Sequence, residues 1–326
     1  MPESPIAVIA GASGFIGRAL VAAFETDGYE VRTIGRRSAV SWADPARIAE
    51  VIDGSDVLVN LAGKSVNCRY NDANRTEILR SRVETTRALH AAVTAAQHPP
   101  AVWLNASTAT IYRHAMRRPN TESDGALGDG FSVDVATNWE RAFFEGDLPR
   151  TRRAALRMAI VLGDGPAART LVTLARLGLG GPQIDSWWPA TRRYRGIGPT
   201  PTGAGRVDWH RTRGRQKFSW VHIDDVVGAV RFILDHEELA GPVNVASPHP
   251  SDNRTLMREL RRSVGMPVGL PAYRWMLEPA MWALRTEPEL VVKSRWVLPE
   301  RLSAAGYVFA QPDLRGAVRS LVPVAG

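Results

Sequence analysis

A short run near the amino terminus limits what this chain can fold into. Residues 6–17 read IAVIAGASGFIG, an apolar strand followed by glycines at 11, 14 and 17 and then by a helical segment. The first glycine allows a tight turn, the second lets the backbone approach a pyrophosphate, and the third lets helix and strand pack closely. The run predicts a dinucleotide-binding βαβ unit. Its predicted cofactor contacts are Gly11, Ser13, Gly14, Phe15, Ile16 and Gly17.

The end of the second predicted strand indicates which dinucleotide would bind. Residues 31–37 read VRTIGRR and contain no carboxylate, the group that would accept a hydrogen bond from the ribose 2′-hydroxyl of NAD. Two guanidinium groups, those of Arg36 and Arg37, follow the strand instead. Because guanidinium binds phosphate in a bidentate manner, the sequence predicts NADP (NADPH), with its 2′-phosphate held by Arg36 and Arg37.

Short apolar segments alternate with helical segments along the first half of the chain, the pattern of parallel βαβ units. We therefore expect an α/β fold, a doubly wound parallel Rossmann sheet with a smaller, mainly helical C-terminal substrate lobe. The predicted dinucleotide domain comprises 1–165 and about 222–247, and the substrate lobe about 166–221 and 248–326. Strands are predicted at 5–10, 30–34, 56–60, 101–106, 153–160 and 242–246, and helices at 15–26, 77–96 and 170–177.

Composition excludes several classes of protein. With 326 residues, 44% of them hydrophobic, the chain can bury a large core without disulfides. Its single cysteine, Cys68, excludes an intrachain disulfide and a multi-cysteine metal site, and no metal is expected. No apolar run is long enough to span a bilayer, and the first apolar segment leads into the glycine motif as a strand rather than into a cleavage site. We expect a cytoplasmic protein with no membrane partner.

A basic segment carries most of the formal net charge of +8. The loop predicted at 182–214 has no clear periodicity, and between 191 and 217 eight cations face one carboxylate, Asp208. The cations are Arg192, Arg193, Arg195, Arg206, Arg211, Arg213, Arg215 and Lys217, and the interleaved aromatic residues are Trp187, Trp188, Tyr194, Trp209 and Trp220. The segment could clamp an anionic substrate, cover the site as a lid, or be a solvated insertion. No nucleic-acid-binding motif accompanies it, so nucleic acid is not an expected partner.

Motifs along nearly the whole chain resemble the extended short-chain dehydrogenase/reductases, and most closely an atypical group described as sugar-nucleotide-epimerase-like. The matching segments are GASGFIG (11–17), NLAGKSV (60–66), LRSRVETTRAL (79–89), ASTATIY (106–112), LRMAIVLGDG (156–165), GRQKFSWVHIDDV (214–226), GPVNVASPHP (241–250) and LPERLSAAGYVF (298–309). They occur in the order expected for the family. The predicted loop before Gly214 is longer than the usual connection.

The resemblance implies further residue roles. Leu61, Ala62 and Gly63 would pass along the adenine-ribose side of the cofactor, and Ala106 and Ser107 would also contact it. Thr108 occupies the position of the catalytic serine or threonine of the family.

The rest of the catalytic set implied by the resemblance is missing. The tyrosine and lysine of the Tyr-x-x-x-Lys pair fall on Val135 and Trp139, and the usual asparagine falls on Arg82. That tyrosine exchanges a proton with the substrate oxygen, and the lysine lowers the pKa of the tyrosine. Tyr112 is the nearest aromatic hydroxyl group to Thr108 and is the candidate proton donor, although the family uses this position for structure or for lining the pocket.

We expect substrate where the carboxyl edge of the sheet meets the C-terminal lobe. The apolar replacements at Val135 and Trp139 favour an aromatic or otherwise hydrophobic substrate. The residues predicted to line this pocket are Arg82, Val135, Trp139, Met158, Ile160, Gln216, Lys217 and Trp220.

Three functions are compatible with these features. The first is an NADP-dependent oxidoreductase or epimerase-like enzyme without the Tyr-x-x-x-Lys pair, acting on a small carbonyl compound that is hydrophobic or linked to a nucleotide or carrier. The second is a non-catalytic sensor or scaffold that binds the dinucleotide. The third is a non-redox enzyme, such as a cyclase, epimerase or dehydratase, on the same fold. The resemblance also leaves a homodimer open, since related proteins pair through helices that here include Phe143 and Phe144.

Overall fold

The computed structural model describes residues 4–189, 192–203, 209–283 and 287–322. Its strands are β1 (Ile6–Ala10), β2 (Glu30–Ile34), β3 (Val57–Asn60), β4 (Val102–Thr108), β5 (Arg152–Met158), β6 (Ile160–Leu162), β7 (Gln183–Ile184), β8 (Lys217–Phe218), β9 (Trp220–His222), β10 (Gly241–Val245), β11 (Ser251–Asp252) and β12 (Ala272–Tyr273). Its helices are α1 (Phe15–Thr26), α2 (Pro45–Ile52), α3 (Asp72–Ala95), α4 (Phe131–Phe144), α5 (Pro166–Arg176), α6 (Ile223–Asp235), α7 (Asn253–Ser263), α8 (Arg274–Ala283), α9 (Glu289–Val292), α10 (Glu300–Ala304) and α11 (Leu314–Arg319).

Six strands form one parallel sheet in the order β10-β5-β4-β3-β1-β2. Strand β1 lies between β2 and β3, with Ala10 opposite both Ile34 and Asn60. The strand order reverses at β1, so the carboxyl ends of β1 and β3 form a switch point, where open parallel sheets bind ligands. The predicted fold class, a doubly wound parallel α/β sheet, is confirmed.

Helices bury apolar side chains against both faces of this sheet. Leu20 and Phe24 of α1 and Ile233 of α6 belong to the core cluster on one face. Leu89 of α3 and Phe143 of α4 belong to the cluster on the other face. Each face is therefore closed by its own layer of helices, which explains the near-continuous apolar sequence of the central strands.

A separate apolar core lies in the C-terminal half. Helices α5, α7 and α11 contribute to it, and Trp220 of β9 is fully buried in it with Leu256 and Leu260. Three two-stranded ladders join separate segments in this half of the chain: β6 pairs with β9, β7 with β12, and β8 with β11. The division into a dinucleotide domain and a substrate lobe stays a prediction.

Local sequence signals set several element boundaries. Helix α1 and strand β2 have the predicted bounds. Helix α3 begins five residues before its predicted start at 77, because the Asn71 side chain accepts a hydrogen bond from the Asn74 amide and caps the helix. Helix α2 was not predicted from the sequence. Its signals are nevertheless local, because the Asp44 side chain accepts a hydrogen bond from the Arg47 amide and Pro45 is the first residue of the helix. None of the helices in the described ranges is both long and apolar enough to cross a membrane.

Candidate functional site

The glycine turn follows β1 at the switch point. Gly11 has a φ of +85°, and a Cβ there would lie 2.9 Å from backbone atoms of Leu61 and Ala62. Its amide also donates to the Ile34 carbonyl at 3.0 Å. Glycine is therefore required here both by the left-handed backbone and by the close approach of the chain after β3.

The other two glycines are required for different reasons. A Cβ on Gly17 would lie 2.5 Å from the Gly11 carbonyl oxygen, so Gly17 permits the packing of α1 against the turn. A Cβ on Gly14 would approach no protein atom closer than 3.4 Å, so the protein itself does not exclude a side chain there. No side chain caps α1, which leaves its first-turn amides without a side-chain acceptor. These features fit the pyrophosphate of a dinucleotide.

Ser13, Phe15 and Ile16, the other residues predicted to contact the cofactor here, lie in or next to this turn. Ser13 is exposed, and its carbonyl oxygen accepts from Arg18 at 2.7 Å. The ring of Phe15 lies against Gly163, where a Cβ would come within 2.6 Å of it. Ile16 is half-buried against the core of the sheet.

Arg36 and Arg37 lie in the turn after β2, and both are exposed. Among the described residues neither makes a hydrogen bond or an ion pair. Glu30, at the other end of β2, is paired with Arg32 at 2.7 Å. The two guanidinium groups next to the switch point are thus available to a phosphate.

The chain after β3 is held by a buried amide network. The Asn60 side chain donates to Asn105 at 2.7 Å and to Thr86 at 3.1 Å, and it accepts from the Ala62 amide at 3.0 Å. Leu61, Ala62 and Gly63 therefore leave the sheet in a fixed direction at the carboxyl end of β3, beside Gly11.

Ser107 and Thr108 end β4 and face different surroundings. The Thr108 hydroxyl group accepts from the Thr110 amide at 3.2 Å and caps the 3-10 turn Ala109–Ile111. Thr108 is half-buried, whereas Ala106 and Ser107 are buried. The Ser107 hydroxyl group donates to Glu140 at 2.5 Å.

A buried polar network that sequence reasoning missed lies behind Thr108. Arg157 of β5 binds both carboxylate oxygens of Glu140, at 2.8 and 2.7 Å, and donates to the Tyr112 hydroxyl group at 2.9 Å. Tyr112 in turn donates to Asn244 at 2.9 Å. Burial raises the pKa of Tyr112, and the guanidinium of Arg157 opposes this. The Tyr112 hydroxyl group thus donates one hydrogen bond and accepts another, both within the protein.

The positions of the missing tyrosine and lysine are apolar and buried. Val135 packs with Tyr70, Ile78 and Phe131. The Trp139 indole N–H donates to Thr86 at 3.0 Å.

Arg82, at the position of the missing asparagine, is held beside this wall. Its guanidinium lies 5.0 Å from the centre of the Trp139 ring and donates to the Lys64 and Ile78 carbonyls at 3.0 and 2.9 Å. Burial lowers the pKa of Arg82 to about 10.

The other predicted pocket residues lie farther along the chain. Met158 ends β5, and Ile160 pairs with Trp220 across the β6–β9 ladder. Trp220 is fully buried, so it lies in the C-terminal core rather than at a pocket surface. Gln216 is buried and bound to Thr212, and the Lys217 ammonium lies 4.5 Å from the centre of the Trp296 ring.

A cavity of about 690 Å³ opens between the loops after β4, the start of α4, the basic segment and the C-terminal helices. None of the residues predicted for the substrate pocket lines it. Its lining residues are Arg113, His114, Leu127, Gly128, Asp129, Gly130, Phe131, Asp185, Tyr194, Gly203, His210, Arg274, Glu289, Val292 and Lys293. Sequence reasoning missed this cavity because its walls come from three distant stretches of chain.

The basic segment forms one wall of the cavity and is attached to α4. The Asp134 carboxylate accepts from the Ile197 and Thr202 amides, each at 2.8 Å, and from the Thr202 hydroxyl group. Tyr194 is buried, and its hydroxyl group donates to Glu278 at 3.3 Å. Residues 190, 191 and 204–208, including the predicted cation Arg206 and its counterion Asp208, lie outside the described residues.

Charges in the cavity wall are partly compensated. Arg274 binds Asp185 at 2.8 Å and Glu278 at 3.1 Å, and all three are buried. The Lys293 ammonium group donates to the Thr110 carbonyl at 3.1 Å, and burial lowers its pKa.

Two histidines also line this wall. The His114 and His210 rings stack with centroids 3.5 Å apart, and Nδ1 of His114 accepts from the Ser294 amide at 3.2 Å. Burial lowers the pKa of His114 to about 4, with His210, Lys293 and Arg295 adding to the effect.

Nearly the whole length of the sequence is similar to known proteins. Residues 7–128 match the NAD-dependent epimerase/dehydratase family, and residues 274–321 match a domain of unknown function, DUF1731. Epimerase family protein SDR39U1 of Bos taurus is 30% identical over 325 residues, which is 97% of this chain and 99% of the relative. The chain belongs to this epimerase family. Epimerase family protein YfhF of Bacillus subtilis is 24% identical over 322 residues, 96% of each chain.

Solved structures agree with this membership. Human SDR39U1 in complex with NADPH superposes with a TM-score of 0.79 at 26% identity, over 97% of this chain and 98% of the human one. A nucleoside-diphosphate sugar epimerase from Corynebacterium glutamicum, 24% identical with a TM-score of 0.68, covers 98% of this chain and 58% of its own, and shows the fold alone. The epimerase-family chain therefore has the Rossmann NAD(P)-binding fold.

The two matched segments of this epimerase-family chain meet at the cavity. His114 belongs to the first match, whereas Arg274, Glu289 and Lys293 belong to the second. Within the described residues, no three histidine, cysteine or acidic side chains are grouped closely enough to hold a metal ion.

Proposed function

We propose that this protein is an NADP-dependent oxidoreductase or epimerase-like enzyme that works without the Tyr-x-x-x-Lys pair. One observation carries the proposal, and it combines two features of the same switch point. A side chain at Gly14 would approach no protein atom closer than 3.4 Å, and the guanidinium groups of Arg36 and Arg37 make no hydrogen bond or ion pair with the described residues. That the related human protein was solved with NADPH supports the same choice of dinucleotide.

Specific residues would hold the cofactor. The first-turn amides of α1, at Phe15 and Ile16, would bind the pyrophosphate, and Arg36 and Arg37 the 2′-phosphate. Leu61, Ala62 and Gly63 would lie along the adenine ribose, and Ala106, Ser107 and Thr108 along the nicotinamide side. When bound, the cofactor supplies a hydride to, or accepts one from, a substrate carbon. The substrate class is a small carbonyl compound that is hydrophobic or linked to a nucleotide or carrier.

Titration of the purified protein with NADPH and with NADH, followed by nicotinamide fluorescence, tests the cofactor. We expect NADPH to bind more tightly than NADH. Removing both guanidiniums in Arg36→Ala/Arg37→Ala should weaken NADPH binding about 10- to 100-fold, since a hydrogen bond to a charged group contributes about 1.5–3 kcal/mol. NADH binding should be unchanged in the variant. An NADPH affinity equal to that of NADH in the unaltered protein would contradict the proposal.

A non-catalytic sensor is the second candidate, and the Tyr112 network favours it. The Tyr112 hydroxyl group is bound to Arg157 and Asn244, and apolar side chains occupy positions 135 and 139. Single-turnover absorbance of the NADPH complex with a panel of carbonyl compounds separates the two functions. Oxidation of NADPH supports the enzyme, binding without oxidation supports the sensor, and product without an absorbance change indicates non-redox chemistry.

A further inference from the structure

Helix α8 has its charged residues inside the protein and its apolar residues outside. Arg274 and Glu278, one turn apart, are buried and form an ion pair at 3.1 Å. Trp275 and Trp282 are 65% and 56% exposed, and a spacing of seven residues places them on the same side of the helix. A surface helix ordinarily buries its apolar side and exposes its charges. The outer side of α8 is therefore suited to contact with something other than water.

The uncharged surface extends beyond the helix. Residues 265–283 read GMPVGLPAYRWMLEPAMWA, in which the buried Arg274 and Glu278 are the only charged residues and serine, threonine, asparagine and glutamine do not occur. The Leu270 amide donates to the Gly178 carbonyl at 2.9 Å and so joins this segment to the loop after α5. Both leucines of that loop, at 177 and 179, are exposed. We call the exposed surface of residues 177–179 and 265–283 the apolar face.

Arginines without a counterion border the apolar face. The Arg69 guanidinium lies 4.0 Å from the centre of the Trp282 ring, and its Nε donates to the Trp282 carbonyl at 3.2 Å. Arg261 donates to the Gly180 carbonyl at 2.5 Å, and the exposed Arg176 directly precedes the loop after α5. None of the three forms an ion pair with a carboxylate of the described residues. The border of the apolar face thus carries uncompensated positive charge.

We propose that the apolar face docks on the surface of a membrane that contains anionic phospholipids, with α8 lying in the plane of the interface. Exposed tryptophan, tyrosine and aliphatic side chains bordered by cations are the features of segments that bind such interfaces. Unpaired arginines are attracted to anionic headgroups, and the formal net charge of +8 acts in the same direction. The proposal does not depend on the bound dinucleotide.

The contact would be interfacial. Helix α8 has ten residues, so it is about 15 Å long at a rise of about 1.5 Å per residue, roughly half the thickness of a hydrocarbon core. None of the described helices is suited to span a bilayer. The expectation of no membrane partner rested on the lack of a spanning segment, which an interfacial helix does not require.

Two other occupants fit the apolar face less well. A second copy placed face to face would bring its own unpaired arginines to the same border, and like charges would oppose the contact. A protein partner is held in register by directional polar contacts, for which the exposed side chains of residues 265–283 offer only one hydroxyl group and the indole N–H groups. Lipid acyl chains require no directional contact, because the hydrophobic effect has no preferred direction.

Sedimentation of the purified protein with vesicles tests the proposal without any cofactor. The probes are vesicles of phosphatidylcholine alone and vesicles of phosphatidylcholine mixed with phosphatidylserine. We expect binding to the mixed vesicles to be about tenfold or more tighter than binding to the neutral ones, because the unpaired arginines attract anionic headgroups. Failure to sediment with the mixed vesicles, or equal binding to both, would overturn the proposal.

Substitution of exposed apolar side chains tests the face itself. Trp275→Ser/Trp282→Ser should weaken binding to the mixed vesicles about tenfold or more, since both rings would leave the interface. Leu270→Ser should weaken binding less. Its matched control is Val308→Ser, at an aliphatic side chain that is 85% exposed outside the face, and this change should have no effect. Unaltered binding by the double tryptophan variant would contradict the proposal, and an unchanged melting temperature would show that the variant is folded.

Removal of charge tests the border. Arg69→Gln/Arg176→Gln should weaken binding to the mixed vesicles about tenfold. Arg87→Gln/Arg117→Gln removes the same number of charges from exposed arginines outside the face and should weaken it much less. Equal losses in the two variants would mean that net charge alone attracts the protein, and would overturn the proposal.

Sedimentation equilibrium without vesicles distinguishes a second copy as the occupant. A dimer that dissociates in Trp275→Ser/Trp282→Ser would show that another copy of the chain covers the apolar face, and would overturn the proposal. A monomer, or a dimer that the two substitutions leave intact, supports a face that is free to meet a membrane.

Discussion

Arg157 on β5 binds both carboxylate oxygens of Glu140 on α4, with N–O distances of 2.8 and 2.7 Å. Both side chains are about one-tenth exposed, so water screens the pair weakly. Tyr112 and Ser107 bind the same two groups. This ion pair therefore joins helix α4, which carries the positions of the missing tyrosine and lysine, to strand β5 of the sheet.

Loss of the carboxylate charge should destabilise the protein strongly. Glu140→Gln leaves the Arg157 guanidinium buried without its counterion, which we expect to lower the free energy of unfolding by about 3–5 kcal/mol. Urea denaturation followed by circular dichroism measures this. Glu84→Gln, which breaks an exposed pair with Arg80, should cost less than about 1 kcal/mol. Equal effects of the two substitutions would mean that the buried pair does not hold α4 in place.

Two alanine substitutions in the glycine turn should affect different properties: one should weaken cofactor binding and the other should lower stability. The methyl group of Gly14→Ala would lie 3.4 Å from the Gly11 carbonyl oxygen, an ordinary contact, so we expect an unchanged melting temperature. We expect at least about tenfold weaker NADPH binding, because the methyl group would occupy the path of the pyrophosphate. Gly17→Ala places its methyl group 2.5 Å from a backbone carbonyl oxygen and should cost about 1–3 kcal/mol of stability. Differential scanning fluorimetry with and without NADPH measures both, and full-strength binding by Gly14→Ala would contradict the cofactor site.

The attachment of the basic segment to α4 should depend on Asp134. Asp134→Asn keeps the size of the side chain but removes one of the two acceptor oxygens that bind Ile197 and Thr202. We expect cleavage by trypsin after Arg195 to become about tenfold faster, since local opening loses about 1.5 kcal/mol of stabilisation. Mass spectrometry of a timed digest measures the rate. Asp124→Asn, on the exposed surface, provides the control, and equal digestion rates would show that Asp134 does not fix the segment.

The pH dependence of stability should contain a contribution from His114. Its pKa is about 4 in the folded protein and about 6.5 in the unfolded chain, so between these values the unfolded state binds more protons. The stabilisation is complete above about pH 6.5 and decreases as the pH falls towards 4, by about 2 kcal/mol after allowance for partial solvent exposure. Urea unfolding at several pH values measures it. The decrease should be smaller by this amount in His114→Phe, and an identical pH profile would contradict the assignment.

The sequence-based predictions succeed where the signal is local. The glycine turn, α1 and β2 are specified by neighbouring residues, and their bounds agree with the structure. The end of β2 is similarly informative about the cofactor. A segment of only a few residues lacks a carboxylate and contains Arg36 and Arg37.

The rest depends on contacts between distant residues. Glu140, Arg157 and Asn244 have no spacing that marks them as partners, yet they meet because α4, β5 and β10 are neighbours in the fold. The cavity is similar, because residues 114 and 294 become neighbours only through the pairing of two loops. Trp220 is the opposite case. Its place in a family motif led to the prediction that it lines the substrate pocket, whereas its side chain packs in the C-terminal core.

The positions of the cavity walls along the chain determine which parts of the protein are synthesised first. The glycine turn and the guanidiniums after β2 leave the ribosome within the first forty or so residues, whereas Arg274, Glu289 and Lys293 follow only after every strand of the central sheet has been made. A nascent chain can thus acquire the parts that bind a dinucleotide well before it can enclose a second molecule. Chains released before residue 274 would lack Arg274, Glu289 and Lys293, and with them one wall of the cavity.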